Sequence, residues 1–526
     1  MYEKLLATLK GESGINRLKL HNLLAGKWIE GSRYRTLINP INNNPLLMYP
    51  DTTADELAPF LESLAKCLKS GLHNPFKNPE RYLILAQVSF KAACALEDPE
   101  VEDYFTHLVQ SVMPKSYIQA RGEVVVTKQF LKNFGGDQAR YLATGTTTPG
   151  DYLGQMPHDF RWPYGPVVIV APFNFPLEIP ALQLMGALFM GNKPLVKSAT
   201  TVSVVIEQFI RLLHECGLPK EDVDLIHCSG SVMDKLLERG KDIIRLVQFT
   251  GSSTVAEHIA EMYRGKVKIE DAGFDWKILG PDFHPKLLRN VAWQCDQDAY
   301  AASGQKCSAT SILFAHDNWV SGGLFEELRD RAGTRKLSDL TVGPVLTETT
   351  ERMLTHVEKL LAIPGAKLLF GGKELSGHSI PECYGAIEPT AVCVPISVML
   401  QPENFPLITT EIFGPFQVVT SYSNEMLPLV LECCERMTNH LTAGIVSNDP
   451  VFLNHVIGLT VNGTTYAGMR ARTTGAPQNH FFGPAGDPRG AGIGTPKAII
   501  DTWSCTRMIN FDYGPVPPNT SALVQS

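Results

Sequence analysis

The stretch GPVVIVAPFNFP, residues 165–176, decides the fold. Its β-branched run predicts a strand, and a run with no polar alternation predicts one covered on both faces, as in parallel sheets. Pro172 and Pro176 stiffen the turn that follows, and a helical pattern then runs from about Leu177 to Met190. Outward from this unit the same alternation repeats. KPLVK (193–197) is followed by a helix near residues 202–216, stopped by Gly217 and Pro219. VDLIHC (223–228), IRLVQF (244–249), a helix from about Thr254, KVKIE (266–270) and WKILG (276–280) complete the series. Strands separated by helices imply right-handed crossovers and an α/β fold with a parallel sheet covered on both faces. Sheets of this kind hold ligands at the carboxyl ends of their strands.

Upstream, residues 1–145 read as mostly helical, with a polar entry INPINNNP (38–45), and are expected to pack onto the same sheet. Downstream, residues 283–480 read as a second α/β region. Its candidate strands are ILFAH (312–316), KLLFGG (367–372), AVCVPI (391–396), QVVTSY (417–422) and LTAGIVS (441–447). The Gly/Pro-rich stretch from Gly475 to Gly494 reads as a functional loop.

Bulk properties exclude several classes. With 47 Lys plus Arg against 54 Asp plus Glu, the net charge of −7 and the lack of a basic block leave no footprint for nucleic acid. The longest apolar stretch, residues 163–191, is broken by Pro172, Pro176, Pro180 and Glu178, so no membrane span is expected. Eleven cysteines without a C-x-x-C pair read as reduced thiols and offer no zinc or other metal site. The N-terminal twenty residues read as neither a secretory signal nor an acid-free transit peptide.

Four spots combine reactive side chains with an informative backbone. Cys307, in GQKCS (304–308), has small neighbours and the most nucleophilic of side chains, although any single cysteine is equally readable as a buried thiol. Lys306 is expected to point away from it, since neighbours in an extended segment face opposite ways. Glu270 ends an apolar strand, where a general base or a plain ion-paired carboxylate are both readable. Asn174, on the turn of PFNFP, offers an amide to an oxyanion, and is also an ordinary turn residue. FTGS (249–252) joins a strand to a helix carrying a capping-box pattern, Thr254-x-x-Glu257, and its N–H groups suit a pyrophosphate.

In this order and spacing the four spots, with Lys197 at a strand end and EIFGP (411–415), resemble the aldehyde dehydrogenase superfamily over residues 23–515. The resemblance implies that Cys307 attacks an aldehyde, Asn174 and the Cys307 N–H hold the oxyanion, and Glu270 activates the hydrolytic water. It implies NAD as cofactor, with Lys197, Thr200, Gly230, Thr250, Gly251, Ser252, Glu411, Phe413 and Phe173 around it. Phe173 stands where most relatives carry Trp, Thr200 where they carry Glu, and Ala256 where a glycine is common.

The stretches RWPYGPV (161–167), FPLEIPALQLMGAL (175–188), EDAGFDWKILGPD (270–282), WQCDQDAYA (293–301) and TTGAPQNHFFGPAGDPRGAGIGT (473–495) are similar to the plant-type family 12, the Δ1-pyrroline-5-carboxylate dehydrogenases. That similarity implies L-glutamate γ-semialdehyde as substrate and a mitochondrial matrix location. Phe175, Ser308 and the turn Gly490-Ala491-Gly492 would then contact the substrate, its carboxylate held by the backbone N–H groups of the turn. No carboxylate is assigned to the substrate ammonium. Oxidation of another semialdehyde such as succinic semialdehyde, reductive acyl transfer, and an inactive binding relative are the competing readings.

The family's architecture implies a Rossmann-type NAD-binding domain from residues 20–145 and 163–282, a catalytic domain at 283–480, and a small β flap. The flap, a hairpin at 146–162 with a terminal strand at 502–513 (TWSCTRMINF opens it), would extend a partner's sheet in a homo-oligomer, leaving 514–526 as a tail.

Overall fold

The computed structural model describes residues 18–271 and 273–516, so most of the N-terminal stretch and of the tail read above lies outside the described residues. The first sheet contains β1 (Asn22–Leu24), β2 (Lys27–Ile29), β3 (Pro166–Ala171), β4 (Lys193–Ser198), β5 (Asp224–Leu225), β6 (Leu246–Gly251) and β7 (Val267–Asp271). Their order is β7-β6-β3-β4-β5-β1-β2, with β3 to β7 parallel and β1 antiparallel to both β5 and β2.

The period-two geometry of a strand assigns the faces. Val167, Ile169 and Val196 join one core with the helices Glu178–Phe189 and Ser203–Glu215. Val168, Leu195 and Val247 join another with Gly230–Arg239 and Ser253–Met262. N-terminal helices, including Tyr117–Asn133, cover the first face, as expected. The same N-terminal region also supplies strands that the helical reading missed, namely β1, β2 and a hairpin of Tyr34–Ile38 with Pro45–Pro50.

The second sheet contains β8 (Asp275–Leu279), β9 (Thr310–His316), β10 (Lys367–Phe370), β11 (Thr390–Cys393), β12 (Phe416–Tyr422), β13 (Thr442–Val446) and β14 (Thr464–Ala467), in the order β10-β11-β12-β9-β8-β13-β14. Here the expected boundary at 282/283 is corrected. WKILG belongs to β8, which pairs with β9 and β13 in the second sheet, so the chain leaves the first sheet after Asp271. All five residues of β8 are buried, and an apolar strand buried on both faces fits either sheet by composition.

The capping box is also corrected. The helix begins at Ser253 with Ser252 as N-cap, and Glu257 pairs with Arg489 instead of folding back on the helix end. Gln155–Pro163 and Ser504–Asp512 form a separate antiparallel ribbon with nine residues in each strand. After the second sheet the chain returns to the first: Ile269 bridges Gly490, and the helix Pro496–Trp503 packs Ile499 and Trp503 into its core. No helix among the described residues is long and apolar enough to cross a membrane. All eleven cysteines are free.

Candidate active site

The site forms where the carboxyl ends of the first sheet meet the turn that carries Cys307. β7 delivers Glu270, which is 2% exposed and has no hydrogen-bond partner for either oxygen among the described residues. Two glycines let the turn approach. A Cβ on Gly273 would stand 2.6 Å from the Cys307 carbonyl oxygen, and one on Gly304 would stand 1.9 Å from the Gly414 carbonyl oxygen. Ala302 and Ser303 precede Gly304 in the left-handed region, at φ of 53° and 55°. Such a conformation costs on the order of 1–3 kcal/mol per non-glycine residue and persists only where the surroundings enforce it. They do: Ser303 Oγ accepts from the Gly343 N–H at 2.7 Å. Gln305 donates to the Pro344 carbonyl at 3.0 Å and accepts from the Leu346 N–H at 2.8 Å.

Cys307 is thereby presented, partly buried, at a cavity of about 240 Å³ that Phe175 and Ser308 also line. Burial pushes the Glu270 carboxyl up to about 7, with the Cys307 thiol pulling against the rise and Asp271 adding to it. Burial, then Glu270 and Asp275, push the thiol well above its ordinary value. At neutral pH the thiol therefore keeps its proton while the Glu270 carboxyl stands between its two forms, and its ionised form is the base that can take the thiol proton.

Asn174 is 2% exposed on the turn after β3, and its side-chain amide makes no hydrogen bond with other described residues. Its carbonyl accepts from Lys115 Nζ at 2.9 Å. Lys115 pairs with Glu123 at 2.9 Å, and the second Glu123 oxygen takes the N–H groups of Leu177 at 2.6 Å and Glu178 at 3.0 Å. A buried ion pair from the N-terminal region therefore fixes the turn on both sides of Phe175, whose ring lies 4.5 Å from Lys115 Nζ.

The remaining candidates lie along the same strand ends. Register places Glu270 opposite Thr250, and Val170 between Phe249 and Lys197. Burial lowers the Lys197 ammonium, and among the described residues no carboxylate pairs with it. Thr200 donates to the Cys228 carbonyl at 3.2 Å, and Thr250 Oγ1 accepts from Gln248 at 2.8 Å. Gly230 opens the helix Gly230–Arg239, and Gly251 and Ser252 precede the helix Ser253–Met262, where the Ser252 side chain caps nothing. Across the cleft, burial raises Glu411 to about 8 against the pull of the Gly273 N–H. Phe413 sits at φ 50° with its ring edge-on to Phe173 at 5.8 Å. An uncompensated cation at a strand end, a helix N-terminus without a side-chain cap and a partly buried carboxyl are groups suited to the ribose hydroxyls and phosphates of a dinucleotide.

A profile of the aldehyde dehydrogenase family matches residues 28–490. The chain belongs to the aldehyde dehydrogenase family. It is 59% identical over 514 residues to the mitochondrial Delta-1-pyrroline-5-carboxylate dehydrogenase 12A1 of Arabidopsis thaliana, covering 97% of this chain and 92% of that protein. It is 58% identical over 522 residues to a "probable aldehyde dehydrogenase" of Linum usitatissimum, covering 98% and 94%. Among solved structures it superposes on an NAD-dependent aldehyde dehydrogenase from Sinorhizobium meliloti with a TM-score of 0.81, at 19% identity and 98% of each chain.

In this family member the sequence reading of the substrate side needs two corrections. Gly490, Ala491 and Gly492 are not among the residues that line the cavity. The Gly490 N–H goes to the Asp487 carbonyl at 2.9 Å and the Ala491 N–H to the Ile269 carbonyl at 2.8 Å, so two of the three donors expected to bind a carboxylate are already taken. The wall is instead built by residues 474–477, anchored through Asp298, which accepts from the Thr473 N–H, Thr474 Oγ1, Arg472 and Lys277. Lys306, expected to face away, lines the cavity beside Cys307 because the segment is a turn, closed by Ala309 N–H to the Lys306 carbonyl at 3.0 Å. Glu178 also lines the cavity and was read only as a charge interrupting an apolar stretch.

Proposed function

We propose that the chain is an NAD-dependent dehydrogenase that oxidises L-glutamate γ-semialdehyde, the open form of Δ1-pyrroline-5-carboxylate, to L-glutamate in the mitochondrial matrix. One observation carries the chemistry: a buried carboxyl without a hydrogen-bond partner among the described residues, Glu270, set against a thiol, Cys307, at the wall of a cavity. The 59% identity to a mitochondrial Delta-1-pyrroline-5-carboxylate dehydrogenase of Arabidopsis supports the substrate and the compartment.

In the proposed reaction Glu270 accepts the thiol proton as the sulfur adds to the aldehyde carbon, giving a thiohemiacetal. The carbonyl electrons move onto oxygen, where the Asn174 amide and the Cys307 N–H stabilise the charge. Bound NAD supplies the hydride acceptor that takes this adduct to a thioester. Glu270, having released its first proton to solvent, removes one from water as that water adds to the thioester carbon, and the Cys307 thiolate leaves. Lys197 would hold ribose hydroxyls of NAD, Gly230, Thr250, Gly251 and Ser252 its phosphate portion, and Glu411, Phe413 and Phe173 the nicotinamide end. Thr200 leaves that pocket without the carboxylate that would repel a 2′-phosphate.

The domain proposal follows the sheets: a cofactor domain from residues 20–145 and 163–271, and a catalytic domain from β8 to about residue 480. The ribbon of Gln155–Pro163 and Ser504–Asp512 is proposed to join copies into a homo-oligomer.

NADH formation measured with Δ1-pyrroline-5-carboxylate and with succinic semialdehyde, using NAD and NADP, tests the reading. The pyrroline substrate with NAD is expected to give the highest kcat/KM, and Cys307→Ala to abolish turnover while NAD still binds. Higher kcat/KM for succinic semialdehyde, or turnover retained by the variant, refutes it.

A further inference from the structure

Two acids that the proposed reaction does not use line the cavity, Glu123, which is paired with Lys115, and Glu178. Glu178 opens the helix directly after the PFNFP turn, is 7% exposed, and lines the cavity with Cys307 and Ser308. Its carboxylate has neither a hydrogen bond nor an ion pair among the described residues. Of the cations around the cavity, Lys115 is committed to Glu123 and the Asn174 carbonyl and Arg472 to Asp298 and Thr474, while Lys306 lines the cavity without an ion pair to Glu178 or any other described carboxylate. Helix capping does not explain Glu178 either, because the N–H groups of Leu177 and Glu178 are already taken by Glu123.

A carboxylate nine-tenths buried without a partner is unfavourable unless it keeps its proton or receives a cation. Burial, reinforced by Glu123, pushes Glu178 up to about 8, so in the free protein it holds the proton. A cationic group brought into the cavity would exchange that proton for an ion pair. The same cavity presents Lys306 and the Ser308 hydroxyl, groups suited to an anion. A ligand with an ammonium and a carboxylate on one carbon satisfies both sets at once.

We infer that Glu178 receives the α-ammonium group of the substrate and thereby selects amino semialdehydes over semialdehydes that carry only a distal carboxylate. This rests on the proposed glutamate semialdehyde activity and names the residue behind its selectivity. Glu178→Gln keeps the volume and removes the charge. The ratio of kcat/KM for glutamate semialdehyde over succinic semialdehyde is expected to fall about tenfold or more, through KM for the amino substrate, as truncating one side of a buried charge pair does. Unchanged kcat/KM for succinic semialdehyde in the variant reports an intact fold. In the unaltered protein, L-glutamate should inhibit more strongly than glutarate, and Glu178→Gln should remove that difference. A preference for the amino substrate that survives the substitution, or an equal loss on both substrates, overturns this inference alone. An unaltered enzyme without the preference overturns the substrate reading together with it.

Discussion

A base that works near neutral pH needs a pKa near neutral, and Glu270 reaches about 7 mainly through burial, with Asp271 adding to the rise and the Cys307 thiol opposing it. The sign follows directly. Below about 7 the carboxyl keeps its proton and cannot deprotonate water, so hydrolysis of the thioester is expected to slow as pH falls through 7. Glu270→Gln removes the base for both proton transfers, so it should slow NADH formation and thioester hydrolysis together and abolish the dependence of the steady rate on pH near 7. A variant with the unaltered rate and pH profile removes Glu270 from this role. At this scale the places of Cys307, Glu270 and Asn174 in the fold were legible because each sits beside punctuation that sequence displays: a run of small residues, a strand end, a proline-stiffened turn. Lys306 was not, because the left-handed Ala302 and Ser303 that create its turn are imposed by Gly343, Pro344 and Leu346, distant in sequence. The turn Gly490–Gly492 misled for the converse reason, since a glycine turn advertises N–H groups without showing which carbonyls already hold them.

Elements position these residues through contacts that strand patterns do not reveal. The strands around Asn174 were legible from apolar runs, whereas what fixes its turn was not. Lys115 and Glu123, 1% exposed each, join the segment leading into the helix Tyr117–Asn133 to the turn after β3. Removing one side of a buried pair leaves the other charge stranded and costs about 3–5 kcal/mol. Lys115→Ala is therefore expected to lower stability by about that amount in chemical denaturation, and to lower kcat because the Asn174 carbonyl loses its anchor. A change within about 1 kcal/mol, the range of an exposed ion pair, would show that the pair does not hold the turn. The same limit explains β8: its burial pattern was readable, but pairing with β9 and β13 depends on partners remote in the chain.

At the scale of the whole molecule, the ribbon is the part a single chain leaves unfinished. The inner strand Gln155–Pro163 is covered along its second edge, with Asp159 and Thr148 bonded across to Thr146 and Pro157. Ser504–Asp512 pairs only with Gln155–Pro163 among the described residues, so its outer edge presents backbone N–H and C=O groups along nine residues. Met508 on this strand is 59% exposed and Met156 on its partner 42%. A two-stranded ribbon of this kind is marginal by itself, and a long open edge invites a further strand. The ordinary resolution is symmetric pairing with a second copy, in which each ribbon lies along the edge of the other's sheet. Light scattering on the purified chain should then report at least twice the mass of one chain at micromolar concentration. Met508→Lys, which places a charge on the exposed strand while leaving the active-site cavity untouched, should shift the population toward monomer. A monomeric unaltered chain would mean that the edge is protected by something other than a second copy.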